Sequence, residues 1–344
     1  MDKEKVLLKV MAFMERSERI SIEDALQLFD EFNIGKIAAI SRIPRERLHG
    51  RKCYFHSPVI DVLSLENVNS FVSKFSESIN ENSEGVILTL KTQEFQLTNI
   101  LNFFKQLNEK FENLRVAISL DCIHELSVKS SLHIEDIIRE MKSVFSLIIY
   151  DDFSSDITFE KRLEIYQFVF NQGIKPLAGI PYKIIDDPNE FVSKMDSIRL
   201  LQDEQNIFDF VYPFASHNYK ANELHLSSPS AAQNLRAISI SRIFLDNVKF
   251  IASLPLMITP ELSYISLSYG ADTINNFVND KGINMMNNEL IQLKVINEFD
   301  NVIGEELEVD GILKNQLTIQ NRIIESKWIP TYINLQTEKI EVKL

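Results

Sequence analysis

Short apolar runs alternate with longer segments of helical period along most of the chain, and this alternation constrains the fold more than any other sequence feature. The runs are rich in Val, Ile and Phe, and we interpret them as eight strands, at residues 52–56, 85–90, 115–120, 146–150, 175–179, 208–214, 250–254 and 265–269. The segments of helical period between them are 65–78, 97–111, 134–144, 160–171, 190–201 and 229–245. Repeated βα units indicate a parallel sheet. Eight of them predict an α/β fold of the (β/α)8 TIM-type barrel class.

The segments outside the predicted barrel divide the rest of the chain. Residues 4–16 and 22–32 are predicted as two helices, the second capped by Ser21, and residues 1–50 would form a helical cap on the barrel. The barrel itself is assigned to 51–275 and a C-terminal extension to 276–344. The extension is hydrophilic and is predicted to be irregular, except for an alternating edge strand at 339–344. Ser228 before Pro229 predicts a helix start, and Gly173 predicts a helix end.

Composition and charge exclude several classes of protein. Hydrophobic residues make up 45% of the chain and charged residues 25%, which is typical of a soluble globular protein. The first apolar stretch, residues 6–14, is interrupted by Lys9, so we interpret it as an amphipathic helix rather than a signal peptide. We expect a cytoplasmic protein without a membrane partner. A net charge of −13 gives no general attraction to nucleic acid, and no nucleic-acid partner is expected.

Cysteine and glycine usage limits the cofactor sites that the chain can build. The two cysteines, Cys53 and Cys122, cannot by themselves supply a four-cysteine zinc or iron–sulfur site. The nine glycines are spread out, so that the glycine-rich phosphate loops of Walker and Rossmann type are absent. His49, Cys53 and His56 do not predict a zinc site, because Cys53 and His56 would point to opposite faces of a strand. No metal site is expected.

Three segments carry a resemblance to a known family. They are ERISIEDALQLFDEFNIGKIAAISRIPRERLHGRKCYF (18–55), IRLLQDEQNIFDFVYPFASHN (198–218) and AISISRIFLDNVKFIASLPLMITPELSYISLSYGADT (237–273). They resemble radical S-adenosylmethionine enzymes of the futalosine menaquinone pathway, the group that includes aminofutalosine synthase, cyclic dehypoxanthine futalosine synthase and the synthase of the deazaflavin precursor FO. The second and third segments match best, through Leu201, Gln202, Asp203, Glu204, Phe210, Pro213, Phe214, Asn218, Ser241, Arg242, Leu245, Asp246, Asn247, Gly270, Ala271 and Asp272. The resemblance implies a complete barrel.

The family's cofactor motifs are missing from the same alignment. In the family, a C-x3-C-x2-C loop after the first strand holds a [4Fe–4S] cluster that reduces S-adenosylmethionine. Here the chain reads HSPVIDV after Phe55 and is predicted to enter a helix near Leu65, so that about twenty residues and all three ligands are lost. The glycine-rich turn that contacts S-adenosylmethionine in the family aligns with Asp151-Asp152-Phe153, and the histidine after strand five aligns with Ile184. We therefore expect no cofactor.

Polar residues at predicted strand ends are the remaining candidates for function, because barrel sites lie at the carboxyl ends of the strands. The candidates for catalysis are Asp121, Asp151, Lys183 and His217, and those for ligand binding are His56, Tyr182, His217, Asn218 and Asp272. Asp151 and Asp152 could bind a metal or act as a general base, or they could simply begin a solvated loop. Arg242, Asp246 and Asn247 are predicted to be structural, with Arg242 and Asp246 one helical turn apart.

Three functional hypotheses remain open. The first is a radical S-adenosylmethionine-like protein of the futalosine family that has lost its cluster ligands and serves as a non-catalytic binding or partner subunit. The partner expected under this hypothesis is an intact radical S-adenosylmethionine homologue. The second is a cluster-independent enzyme of the same pathway that uses acid–base residues at the barrel mouth. The third is a chain whose cluster ligands are donated by a partner.

Overall fold

The elements of the chain are known from a computed structural model, which describes residues 3–30, 33–55, 59–62, 68, 69, 72, 87–90, 95–111, 115–153, 156–182, 188–215, 229–253, 258–274, 289–296, 302–309 and 311–332. Two compact units are present: Met1–Phe55 with Leu177–Asn275, and His56–Pro176 with Asn276–Leu344. Within the described ranges, the helices are all too short or too polar to cross a membrane.

Helices and strands alternate through both units. In chain order they are α1 (Lys3–Arg16), α2 (Ile22–Phe29), α3 (Ile34–His49), β1 (Lys52–Phe55), β2 (Val59–Val62), β3 (Ile87–Leu90), α4 (Leu97–Asn108), β4 (Arg115–Ser119), α5 (Leu120–Ser130), α6 (Ile134–Val144), β5 (Ser146–Tyr150), α7 (Phe159–Asn171), β6 (Ala178–Tyr182), α8 (Pro188–Gln205), β7 (Phe210–Ala215), α9 (Ala231–Phe244), β8 (Phe250–Ser253), α10 (Pro260–Ser266), a 3-10 helix (Leu267–Tyr269), β9 (Thr273–Ile274), β10 (Glu289–Ile296), β11 (Val302–Val309), α11 (Gly311–Glu325) and β12 (Ile329–Tyr332).

The first unit contains a parallel sheet in the order β1-β9-β8-β7-β6. Its register pairs Tyr54 with Thr273, and Phe210 with Phe250. Because paired residues of parallel strands point to the same face, the aromatic rings of Tyr54, Phe210 and Phe250 gather on one side of the sheet. The Phe210 and Phe250 rings are stacked with centroids 4.8 Å apart. This aromatic layer forms part of the buried core of the first unit.

The second unit contains a parallel sheet in the order β2-β3-β4-β5 and an antiparallel pair, β10-β11. The amphipathic helix α6 buries Ile137, Ile138 and Met141, which have the i, i+1, i+4 spacing of one helix face. Trp328 is also buried. The parallel βα pattern agrees with the predicted α/β class in each unit.

Several predicted helix starts and ends are confirmed. Ser21 caps α2 in a capping box: its Oγ accepts the N–H of Asp24 at 3.1 Å, and the Asp24 carboxylate accepts the N–H of Ser21 at 3.2 Å. Gly173 follows α7 with a φ of +76°, the left-handed conformation expected at a helix end. The start of α9 differs from the prediction, because its N-cap is Ser230 rather than Ser228.

Four other predictions are wrong. The run 265–269 is helical, and Thr259 with Pro260 at the first helical position begins α10; the strand at this place is β9. Three helices, not two, precede β1, because α3 continues through Pro44. The prediction also missed β2, which pairs in parallel with β3, where a direct run into a helix was expected. The extension after residue 276 is not irregular, since it contains β10, β11, α11 and β12. The predicted edge strand 339–344 and most of the predicted helix 65–78 lie outside the described residues.

Candidate functional site

A buried ion cluster lies at the amino ends of β1, β8 and β9 in the first unit. We define it as Arg45, His49, Arg242 and Asp272, all with little or no exposed surface. Arg242 forms an ion pair with Asp272, whose carboxylate also accepts the N–H of Ile251 at 2.9 Å. The Arg45 guanidinium donates to three backbone carbonyls at 2.7 to 2.8 Å, those of Gly50, Lys52 and Ala271. These contacts tie α3 and α9 to the strands.

His49 joins the buried ion cluster through its ring. Its Nε2 lies 2.7 Å from the carbonyl oxygen of Lys249 and 3.7 Å from Oδ1 of Asp272. Its ring stacks on Phe250 with centroids 4.9 Å apart. Burial lowers the pKa of His49 below its usual 6.5, although Asp272 opposes this shift. His49 is therefore held as the neutral imidazole near neutral pH.

A glycine is required beside this cluster. Gly270 has a φ of +99°, and a Cβ at this position would lie 2.9 Å from Cβ of Arg242 and 3.1 Å from Cβ of Ser41. Both the backbone conformation and the close approach of Gly270 to α3 and α9 exclude a side chain. Gly270 thus allows the turn before β9 to pack tightly against both helices.

Four further residues that matched the family join Arg19 in a second network, which we call the surface network: Gln202, Asp203, Asp246 and Asn247, with Arg19. Arg19 donates to both oxygens of Asp203 at 2.5 and 2.7 Å, and to Asp246 at 2.8 Å. This bidentate contact lowers the pKa of Asp203 to about 2. The Gln202 amide accepts the N–H of Phe208 at 2.7 Å and donates to the carbonyl of Asn247 at 3.2 Å. The network holds the ends of α8 and α9 together.

The predicted pairing of Arg242 with Asp246 is wrong. Arg242 is buried against Asp272, whereas Asp246 lies at the surface against Arg19. The position of Asp272 is also corrected: it precedes β9 at the amino end of the sheet, where barrel residues serve stability rather than ligand binding. The prediction of a strand at 265–269 puts Asp272 at a carboxyl end, whereas these residues are helical.

A second cluster lies at the carboxyl ends of β4 and β5 in the second unit, where barrel proteins bind ligands. We define this acid–arginine cluster as Asp121, Asp151 and Arg162, each with at most 2% of its surface exposed. Nη2 of Arg162 is 2.5 Å from Oδ1 of Asp121, and Nη1 is 3.2 Å from Oδ2. Nη1 also forms an ion pair with Asp151. The two carboxylates raise the pKa of Arg162 above its ordinary value, although burial opposes them.

Arg162 was not among the predicted site residues, although the sequence contains a signal for it. It lies on the same helix face as Ile165, Tyr166 and Val169, the buried residues of α7. A charged residue on an otherwise apolar face needs a buried partner of opposite charge. That rule would have led from Arg162 to the acids at the neighbouring strand ends.

The predicted ligand residue Tyr182 ends β6 in the first unit, and its hydroxyl hydrogen-bonds the Asn234 side chain in α9. Its ring packs edge-on against Phe191 with centroids 5.5 Å apart. Burial raises the pKa of Tyr182. The candidates His56, Lys183, His217 and Asn218 lie outside the described residues.

The two cysteines lie in separate units, Cys53 buried and Cys122 partly buried. Cys53 lies within β1 with no exposed surface, and Cys122 lies in the first turn of α5. Burial raises the pKa of each thiol to about 12. Among the described residues, no group of three His, Cys, Asp or Glu side chains is placed to hold a metal ion.

Comparisons with known proteins agree with the resemblance found in the sequence. The chain is 24% identical over 310 residues to aminodeoxyfutalosine synthase of Thermus thermophilus, covering 78% of this chain and 83% of the relative. It is 26% identical over 127 residues to cyclic dehypoxanthine futalosine synthase of Streptomyces coelicolor, covering 36% of this chain and 31% of that relative. The predicted resemblance is confirmed. No family model matches the chain.

Solved structures agree on the fold. Methylornithine synthase (PylB) superposes with a TM-score of 0.62 at 12% identity, covering 93% of this chain and 97% of that one. The [FeFe]-hydrogenase maturase HydG gives a TM-score of 0.61 at 12% identity, covering 96% and 76%. These matches confirm the predicted α/β fold class.

The [4Fe–4S] cluster that the resemblance implies does not fit the residues of this chain. Such a cluster needs three thiolates from one C-x3-C-x2-C loop, and the chain has Cys53 and Cys122 alone, 69 positions apart (122 − 53).

Proposed function

We propose that this chain is a radical S-adenosylmethionine-like protein of the futalosine menaquinone group that builds no iron–sulfur cluster and acts as a non-catalytic binding or partner subunit. The observation that carries the proposal is the cysteine content of the chain. Its two cysteines lie in different units, Cys53 in β1 and Cys122 in the first turn of α5, so this chain alone cannot supply the three-thiolate site. The pathway assignment is supported by the similarity to the two futalosine synthases.

The distribution of the matched residues also supports this proposal. Arg242, Asp272 and Gly270 belong to the buried ion cluster or its packing, and Gln202 and Asp203 belong to the surface network. Neither network needs a substrate or a cofactor to explain its residues. A chain selected for its folded surface or for a ligand pocket would retain both networks after its chemistry had been lost.

The cluster-independent enzyme is less well supported by the contacts of its candidate residues. A general base must be within hydrogen-bond reach of the proton that it removes. Asp121 and Asp151 are instead directed at one guanidinium, that of Arg162, and are buried with it. Both carboxylates therefore already serve as hydrogen-bond acceptors for Arg162. We therefore retain the partner-subunit proposal alone.

Anaerobic iron–sulfide reconstitution of the purified chain tests the loss of the cluster. Iron is quantified per chain, and S-adenosylmethionine binding is titrated in parallel. We expect background iron and no saturable binding. About four irons per chain with saturable binding would contradict the proposal. Cys53→Ser and Cys122→Ser variants serve as controls, because adventitious iron on a thiol would disappear in one of them.

Isolation from native extracts tests the partner role and the third hypothesis together. We propose that the partner is an intact radical S-adenosylmethionine homologue that carries the cysteine loop. Affinity capture of the full-length chain, followed by mass spectrometry and size-exclusion chromatography, should show such a homologue at fixed stoichiometry. A chain that elutes as a lone monomer from native extracts would contradict this role. A complex whose cluster requires cysteines from both chains would favour donated ligands instead.

A further inference from the structure

The turn after β5 in the second unit forms a backbone site for an anion. The amide nitrogens of Asp152 and Phe153 lie 3.3 and 2.9 Å from one oxygen atom, Oδ2 of Asp121. Phe153 has a φ of +53°, and consecutive N–H groups in such a turn form a concave nest that binds anions. In this chain the anion in the nest is the Asp121 carboxylate itself.

Arg162 completes this site with a buried cation. Its guanidinium meets both oxygens of Asp121, which is the forked geometry that arginine uses to bind carboxylates. The ring of Phe153 lies against the guanidinium, with its centroid 4.5 Å from Cζ of Arg162. Two amide donors, one guanidinium and an aromatic cover therefore surround a single carboxylate.

We propose that Asp121 is an internal ligand that keeps an anion site at the carboxyl end of β5 closed, and that this site accepts a small carboxylate once the Asp121 side chain is removed. The contact is autoinhibitory in the sense that the chain occupies its own binding nest. This inference rests on the proposed function, because a protein that no longer uses this strand end for a cofactor is free to fill it with a side chain.

Chemical rescue tests the proposal. The Asp121→Ala variant leaves a gap of carboxylate size between the nest and Arg162, and formate is the carboxylate that fits it. We expect its Tm to fall by at least about 5 °C, and to recover by about 3 °C in about 0.2 M sodium formate relative to equal sodium chloride. The unmodified chain and the isosteric Asp121→Asn variant should have the same Tm in both salts, because neither has a gap.

Two further variants make the test specific. Asp24→Ala removes another buried acid, which pairs with Lys9 but lies in no backbone nest beside a buried arginine, and formate should not rescue it. Adding Arg162→Met to Asp121→Ala should abolish the formate effect. Equal Tm values in formate and chloride for Asp121→Ala would overturn the proposal, and so would equal rescue of Asp24→Ala or of Asp121→Asn.

If Asp121→Ala does not fold in chloride, its refolding yield from urea replaces Tm as the measurement. A higher yield in formate supports the internal-ligand proposal, and equal yields overturn it. The outcome is separable from that of the proposed function, which depends on iron and S-adenosylmethionine binding by the unmodified chain. If the unmodified chain binds a cluster but Asp121→Ala shows formate rescue, the proposed function is refuted and the internal-ligand proposal stands.

Discussion

The two units differ in how far their residues match the futalosine enzymes. In the first unit, the matched residues Arg242 and Asp272 lie in the buried ion cluster, and Gln202, Asp203, Asp246 and Asn247 lie in the surface network. In the second unit, the strand end that aligns with the family's glycine-rich turn carries the acid–arginine cluster instead. The recognisable motifs of this chain therefore identify residues that hold the fold together, which we call the framework, and not residues that carry out a reaction.

Physical chemistry explains why the framework residues are the ones that remain visible. A buried arginine whose donors are all satisfied costs little, but removal of one partner leaves a charge or carbonyl without compensation in the core. Arg45 and Arg242 together contact carbonyls on several separate segments, so each substitution would leave several groups unsatisfied. A residue that touches only a ligand carries no such penalty once the ligand is no longer used.

The largest effect is expected from Arg242→Met, which attacks the framework of the first unit. It leaves Asp272 as a buried charge whose nearest remaining cation, Arg45, is 4.0 Å away. We expect a loss of about 3–5 kcal/mol in the free energy of unfolding, measured by urea denaturation. The matched control is Arg42→Met, which removes an exposed pair with Glu46 and should cost about 0.5 kcal/mol or less. Equal losses for both would break the contrast between framework and surface.

Gly270→Ala should have the next largest effect. Alanine at position 270 would have to adopt a left-handed backbone conformation, with a φ of +99°. Its Cβ would also lie 2.9 Å from Cβ of Arg242 and 3.1 Å from Cβ of Ser41. We expect a loss of about 2–3 kcal/mol in the free energy of unfolding. Gly173→Ala is a control for backbone strain alone, because it also has a positive φ but no heavy atom lies within 4 Å of its added Cβ. A loss in Gly270→Ala no larger than that in Gly173→Ala would show that the close helix approach contributes nothing.

The sequence predicted the local elements well and the ion clusters poorly. Residues 134–144 and 146–150 were predicted with the bounds that α6 and β5 have, because strong periodicity and a bounded apolar run are local signals. The run 265–269 was misjudged because a short apolar run does not distinguish a strand from a helix. The actual signal was Thr259 before Pro260, a capping pattern.

Long-range pairs could not be read from spacing. Arg242 had an acid four positions later, Asp246, and the helical rule favoured that pair. Its true partner, Asp272, is 30 residues away and follows Gly270, whose missing side chain lets that turn pack against α9. For the same reason Arg162 was missed, since its partner Asp121 is 41 residues away on another strand end.

The free energy of unfolding should depend on pH through His49 of the buried ion cluster. The pKa of His49 is lowered in the folded state below its usual 6.5, so between these two pKa values the unfolded chain binds the proton more strongly. Stability therefore falls as pH decreases below about 6.5, with a limiting slope of about 1.4 kcal/mol per pH unit from this group. His49→Gln should flatten this part of the profile. Urea denaturation between pH 7.5 and pH 5 in about half-unit steps measures it, and parallel profiles for both proteins would show that His49 does not carry the effect.

The smallest effect is expected from the surface network. Arg19 makes three contacts with Asp203 and Asp246, yet all three side chains are at least one third exposed. Water and salt screen such pairs, so Arg19→Ala should cost about 1 kcal/mol or less, and the loss should shrink further in about 0.5 M NaCl. Asn247→Ala serves as a comparison, because it removes hydrogen bonds to Asp203 and to the Arg199 carbonyl without removing a charge, and its cost should not depend on salt. A loss for Arg19→Ala as large as that for Arg242→Met would place the surface network within the framework. The matched residues would then be explained by one cooperative network rather than by a buried cluster with a marginal surface pair.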